Sequence, residues 1–332
     1  MKNFLTTQKA LRSLIYAAQT DSRAGAYIFE GMRGIGKSSA AMIFAAALHC
    51  TGEKVPCLNC PDCKKVFAHT HPDVYITGED GAVRVNDIRA LTEELYIKPA
   101  ISKNKVLIVK NADSMNSDAQ NALLKSFEEP PSYAVIILLS ENVQNLLPTI
   151  RSRGMHIVFE PFSEEETERF VKAQYPQKSA DANFIAQYSG GIIGRTIDIC
   201  EDEDFFVLRQ KMFEAISHMT GDRTAIFEVA ELFDIKKSGK AAFLGCDMYF
   251  DLFLSFMGDV SALKLGRPVI NKDLVVYIEE FSKKTAQSAV ISVIERVTKQ
   301  RSMLNVSMKY ELWIVNMLIK CWEDIHGRGS RS

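Results

Sequence analysis

Two groups of residues near the start of the chain have the types and spacing to do chemistry. Gly31-Met32-Arg33-Gly34-Ile35-Gly36-Lys37-Ser38 carries the glycine spacing and Lys-Ser ending of a phosphate-binding loop. Glycines let the backbone curl around a phosphate chain and aim N–H groups at it, helped by the positive end of the following helix. Lys37 then reaches the β- and γ-phosphates, and Ser38 offers its hydroxyl to Mg²⁺. The second group is Cys50, Cys57, Cys60 and Cys63, in the pattern C-x6-C-x2-C-x2-C. Four clustered thiolates suit a tetrahedral structural Zn²⁺ with no open position. A redox C-x-x-C is the competing reading, and an odd total of seven cysteines without a secretory signal favours metal over a disulfide framework. His49, His69 and His71 lie close by, but four cysteines already complete such a site, so these histidines read as surface or packing residues.

A cradle alone does not hydrolyse nucleotide. A carboxylate at the end of a neighbouring strand normally orients Mg²⁺, and a second one polarises the attacking water. After the apolar run Val106-Leu107-Ile108-Val109 the residues are Lys110 and Asn111. A lysine adds positive charge beside the metal, and an amide takes no proton from water. Asp113 follows at a distance that suits turn or cap chemistry. The pattern predicts a site that holds nucleotide and turns it over slowly or not at all.

The elements that must position these groups alternate. Ala26–Glu30 predicts a strand running into the glycine loop, and Ser38–Leu48 is rich in helix formers. Val74–Thr77, Val106–Val109 and Val135–Leu139 predict further strands, separated by helices over Val85–Tyr96 and Ser117–Glu128. Ser117-Asp118-Ala119-Gln120 has capping-box spacing, and Pro130-Pro131 stops that helix. Strand–helix alternation implies a mostly parallel sheet covered on both faces. Beyond residue 160 only helical patterns remain. Ser163-Glu164-Glu165-Glu166 caps a helix to about Gln174, Gly190, Gly191 and Gly194 punctuate two short ones, and Glu201–Asp204 marks a junction. The last helix is expected to bury Leu304, Met308, Leu312, Val315, Ile319 and Trp322 on one face. The expected architecture is thus an α/β nucleotide-binding domain with a parallel sheet at 1–160, a small helical domain at 161–204 and an all-α domain at 205–332.

Composition narrows the class of partner. With 332 residues, 47% of them apolar and 24% charged, the chain has the make-up of a soluble protein of two or three domains. No apolar run is long enough for a membrane span, and Met1–Thr7 lacks a secretory h-region, which points to the cytoplasm. A net charge of −1 argues against a zinc-dependent protein that binds DNA by itself.

The motifs resemble those of bacterial replicative clamp loaders, a branch of the AAA+ ATPases. The resemblance is carried by Gly31–Ser38, the four cysteines, His71-Pro72-Asp73, Asn121-Ala122-Leu123-Leu124-Lys125-Ser126-Phe127-Glu128-Glu129-Pro130-Pro131 and Leu147-Pro148-Thr149-Ile150-Arg151-Ser152-Arg153, in order and spacing across 31–153. The three-part layout extends it over the whole chain. Family members carry a similar zinc module after the loop helix, usually with a longer first gap than here. Their Ser-Arg-Cys element supplies an arginine finger to ATP in a neighbouring subunit, so the resemblance assigns that role to Arg153, which follows the strand-like stretch Leu147–Ile150. Gly154 stands where the cysteine is expected. A guanidinium at a γ-phosphate stabilises developing charge and can act in trans. On residue type alone a salt-bridged surface arginine is the equal alternative, and Arg151 is a second candidate. The resemblance further implies Ser140 as a first sensor of the γ-phosphate and Arg195 as a second, on a helical lid, beside the cradle residues Gly31, Arg33, Gly34, Gly36, Lys37 and Ser38. It makes the last domain a collar for a five-membered ring, with Trp313 and Trp322 in core or subunit packing.

The missing acid pair resembles the non-motor subunits of the family. Such a subunit of the DNA polymerase III holoenzyme binds ATP or ADP with Mg²⁺ and a structural Zn²⁺. It joins gamma/tau and delta partners and serves a sliding clamp and primed DNA through the complex, with no membrane involved. The alternative is a catalytically active motor subunit of the gamma/tau type, which needs Asp113 or another acid to replace the missing carboxylates.

Overall fold

The computed structural model describes all residues except 1, 7, 80–82, 234–245, 304–308 and 328–332. The chain divides into two compact units, Met1–Asp198 and Ile199–Ser332.

The first unit is built on five strands: β1 (Ala26–Glu30), β2 (Val74–Thr77), β3 (Lys105–Val109), β4 (Ala134–Ser140) and β5 (Met155–Val158). They lie in the order β2-β3-β4-β1-β5, and every pairing is parallel. The central strands β3 and β4 are buried at every position, so they read as unbroken apolar runs without alternation. The helices are α1 (Lys2–Leu5), α2 (Lys9–Gln19), α3 (Lys37–His49), α4 (Pro61–Phe67), α5 (Val85–Leu95), α6 (Ser117–Glu128), α7 (Pro148–Arg151), α8 (Glu164–Gln174), α9 (Ala182–Ser189) and α10 (Ile193–Glu201), the last crossing the unit boundary. Helix α3 is buried along most of its length because its alanines allow close approach to the sheet. Helices α5 and α6 pack Ile88, Leu91, Leu95, Leu123 and Phe127 against Leu107, Val109, Ile136 and Leu138. Parallel strands lead all their C-terminal ends to one edge of the sheet, the edge at which the glycine loop emerges from β1.

Four local expectations change. Leu147–Ile150 is not strand-like: Pro148 opens the short helix α7 at its first turn, where a missing N–H costs nothing, and Ile150 is buried beneath it. The neighbouring strand is β5, whose exposed Met155 and Val158 hide the signal of an edge strand. The cap of α6 is Asn116, which accepts from the Ala119 amide. Gln120 instead bridges the Met115 and Asn145 carbonyls and the Leu147 amide, tying α6 to α7. The cap at Ser163 matches expectation, with Glu166 returning to the Ser163 amide.

The second unit contains helices Phe205–His218, Ala225–Leu232, Cys246–Lys264, Val275–Lys284, Gln287–Ser302 and Tyr310–Ile325. Phe256 is its hub, edge-on to Phe213 at 5.0 Å and to Phe281 at 5.2 Å. The last helix buries Ile314, Met317, Leu318, Cys321 and Trp322, while Leu312 is 63% exposed. Two apolar stripes run along this helix, and periodicity alone does not select between them; Leu304 and Met308 lie outside the described residues. Among the described residues no helix is long and apolar enough to cross a membrane.

Candidate functional site

The glycine loop bends because three of its residues occupy backbone space that side chains disfavour. Gly34 and Gly36 have φ of 79° and 107°, and a Cβ on Gly31 would lie 2.8 Å from the Phe159 carbonyl oxygen. The loop is pinned from two sides: the Gly31 amide donates to the Ser140 carbonyl of β4, and the Gly194 amide of α10 donates to the Gly34 carbonyl at 2.8 Å. A cleft of roughly 310 Å³ opens over it. Arg33, Gly34, Gly36, Lys37 and Ser38 line that cleft together with Lys110, Asn111 and Glu141.

Lys37 is 9% exposed and folds back, donating from Nζ to the Gly31 and Met32 carbonyls at 2.6 and 3.0 Å. Burial pushes its ammonium below the ordinary lysine range, opposed by the negative charges of Glu141 and then Asp113. A phosphate in the cleft offers Lys37 a stronger partner than two carbonyls.

The residues after β3 are engaged as their types dictate. Lys110 pairs with Glu79 at 2.6 Å, and the Asn111 side chain donates to the Gly78 carbonyl. Asp113 accepts from the Glu141 and Asn142 amides at 3.3 and 3.2 Å, which is the turn chemistry expected of it. Sequence reasoning missed Glu141: the cleft's acid comes from the end of β4, directly after Ser140, and not from the end of β3. Its carboxylate and the Ser38 hydroxyl are oxygen donors of the kind Mg²⁺ takes. Ser140 itself is buried with its Oγ unpartnered, and neither it nor Arg195 is among the residues lining the cleft, whereas Ile193, Gly194 and Ile197 of α10 are.

The four cysteine sulfurs lie within 4.8 Å of one another and can hold a metal ion such as zinc. A zinc–sulfur bond of about 2.3 Å in a tetrahedron spaces sulfurs by about 3.8 Å, so little contraction is needed. Backbone amides already point at the sulfurs. Gly52 and Cys57 donate to Cys50, Cys60 to Cys57, and Cys63 to Cys60, at 3.2–3.4 Å. Such bonds favour thiolate. The Asn59 and Cys60 amides hold the Cys57 thiol below its ordinary range. Burial alone would raise Cys60, yet the bonds it accepts from Cys63 and Thr51 bring it to about 6. Burial pushes Cys50 and Cys63 up. His49 and His71 stand apart from the cluster, buried and stacked at 4.3 Å, and His69 is a partly exposed neighbour of Glu79.

Arg153 lies elsewhere. It sits in the short link between α7 and β5, at the N-terminal end of the sheet, beside Gly25 and Ala26 where β1 begins. Its side chain is 45% exposed and its guanidinium pairs with Glu128 at the end of α6. Arg151 turns the other way and donates to Gln144 at 2.6 Å. Strand β1 separates Arg153 from the glycine loop; five residues at roughly 3.3 Å each give about 16 Å. Arg153 is on the wrong end of the sheet to serve the cleft of its own chain.

The sequence profile of the family described as "DNA polymerase III, delta subunit" matches residues 6–163. The DNA polymerase III subunit delta' of Bacillus subtilis is 27% identical over 309 residues, which is 90% of this chain and 92% of that protein. The DNA polymerase III subunit gamma of Buchnera aphidicola from Schizaphis graminum is 29% identical over 53% of this chain and 50% of its own length. A gamma subunit-related protein of Thermotoga maritima, solved as a crystal structure, shares the fold at 18% identity with a TM-score of 0.50, over 95% of this chain and 99% of that one. Over nine-tenths of its length the chain is thus similar to the delta' subunits of DNA polymerase III.

Proposed function

We propose that this protein is the non-motor, arginine-donating member of a clamp-loader ring: it holds nucleotide in its own cleft without turning it over and inserts Arg153 into the ATP site of a neighbouring gamma/tau-type subunit. The single observation that carries this reading is the separation of the two groups. Lys37 lines the cleft at the C-terminal end of the sheet, and Arg153 lies half-exposed at the other end, about 16 Å of strand away. Lys110 and Asn111 at the end of β3 support a cleft without the usual hydrolytic acids. Zn²⁺ in the cysteine cluster would fold the 50–63 insertion. Helices in 161–204 would act as a lid carrying Arg195, and 205–332 as a collar, where exposed Leu312 suits contact between subunits. The assembled ring, with gamma/tau and delta partners, would act in the cytoplasm on a sliding clamp and primed DNA.

The second reading, a motor of the gamma/tau type, draws on Glu141 as a carboxylate in the cleft. Turnover by the purified chain decides between them. We expect hydrolysis at background level with and without primed DNA, together with measurable ATP or ADP binding that Lys37→Ala removes. DNA-stimulated hydrolysis abolished by Lys37→Ala would make the chain a motor.

A further inference from the structure

We propose that Glu141 is the carboxylate that faces nucleotide-bound Mg²⁺ in the cleft, and that the cradle therefore takes ATP as its magnesium complex. This rests on the reading of Gly31–Ser38 as a nucleotide cradle and adds the residue that replaces the missing metal-orienting acid. Among the described residues lining the cleft, Glu141 is the one carboxylate, and Ser38 lines the same cleft from the start of α3. The other acid near Lys37 is committed: the Asp113 carboxylate accepts both the Glu141 and Asn142 amides, which fixes the backbone that carries Glu141 at the end of β4. Lys110 is tied to Glu79 and carries no oxygen, and Asn111, whose Nδ2–H donates to the Gly78 carbonyl, has only a neutral amide oxygen to offer, so no carboxylate reaches the cleft from the end of β3.

The consequence is electrostatic. A triphosphate and a nearby carboxylate repel each other across a cleft wall, and a divalent cation between them reverses the sign. Oxygen donors from a carboxylate, a hydroxyl and phosphates form a set that Mg²⁺ accepts. One carboxylate orients a metal but leaves no second to draw a proton from water, so Glu141 accounts for holding nucleotide and not for hydrolysing it.

The test is equilibrium binding of ATPγS to the full chain, in Mg²⁺ and in EDTA, for the native protein, Glu141→Gln and Lys37→Ala. The native protein is expected to bind at least tenfold more tightly in Mg²⁺. Glu141→Gln should bind metal-free nucleotide more tightly than the native protein does, bringing the ratio towards one. Glu141 is exposed, so the variant folds, which circular dichroism verifies. Electron paramagnetic resonance with Mn²⁺ in place of Mg²⁺ gives an independent readout: the bound-ion spectrum of the nucleotide complex should change in Glu141→Gln. An unchanged ratio and an unchanged Mn²⁺ spectrum overturn the role of Glu141 and leave the cradle standing. Absence of binding by the native protein in both buffers overturns the cradle and this inference together.

Discussion

The two ends of the sheet are built by different means. At the C-terminal end the cleft is made largely of backbone: glycines with positive φ, amides donated across from Gly31 and Gly194, and a lysine folded onto loop carbonyls. At the N-terminal end a single long side chain, Arg153, stands half-exposed against one carboxylate. The first arrangement is over-determined, because the loop is held from several sides at once. The second is an exposed ion pair of the sort worth about 1 kcal/mol or less, so a better anionic partner can displace Glu128 at small cost. The proposed roles, a cleft that keeps its ligand and an arginine lent to another chain, call for this contrast.

The largest effect should come from separating the two ends by mutation. Arg153→Ala is expected to lower ATP hydrolysis by the reconstituted complex by a factor on the order of 10²–10³. The isolated variant should keep native thermal stability and native nucleotide affinity, because Arg153 is remote from its own cleft. Lys37→Ala should do the reverse, removing binding to this chain while the neighbour's site keeps its finger. Full complex activity in Arg153→Ala would mean that the outward arginine is a surface ion pair and nothing more.

Metal removal probes whether the cleft stands on its own. Helix α3 runs from Lys37 at the loop to His49 beside the cysteines, 13 residues or about 20 Å. Its buried flank packs on the sheet and also on α4 of the cysteine segment, whose Cys63 Sγ donates to the Ala46 carbonyl at 3.7 Å. We expect metal analysis to find one equivalent of zinc in the native protein and none in Cys57→Ser with Cys60→Ser, whose amides over 50–67 should be open to hydrogen exchange. Nucleotide affinity should shift less than about threefold, since the glycine loop is anchored by β4 and α10. Loss of the cleft together with the metal would show that α3 transmits the state of the cysteines to the loop.

How far sequence reaches differs between the two ends for a physical reason. Gly31–Ser38 and the cysteines are legible because a short peptide of fixed spacing contains the whole device. Strands β1 to β4 are legible because central parallel strands are unbroken apolar runs. At the edge of the sheet this fails: Met155 and Val158 of β5 face outward, while apolar Leu147 and Ile150 next to them belong to a helix that Pro148 starts. Glu141 was out of reach because convergence of the ends of β1, β3 and β4 is a property of sheet order. The partner of Arg153 was equally out of reach, since Glu128 is brought to it only by the packing of α6 against α7 and of Phe127 beside Gly154. The last helix carries two apolar stripes, and only tertiary contact selects the one that contains Ile314 and Leu318.

The smallest effect concerns the residue that follows the arginine. Clamp-loader sequences of the kind this chain resembles have cysteine after the arginine, and here Gly154 takes its place. A Cβ at Gly154 would lie 2.7 Å from Ile28 Cγ1 and 2.9 Å from Phe127 Cζ. Both neighbours are fully packed in the core, so neither has room to withdraw. Overpacking of this kind costs about 1–3 kcal/mol. Gly154→Ala is therefore expected to lower the melting temperature by several degrees, since about 1 kcal/mol corresponds to 2–4 °C in a unit of this size. The strain falls at the start of β5, next to Arg153, so it should also reduce ATP hydrolysis by the reconstituted complex a few-fold, while the cleft at the other end binds nucleotide as before. A melting temperature equal to that of the native protein would mean that Ile28 and Phe127 yield, and that the glycine is not what sets the position of the finger.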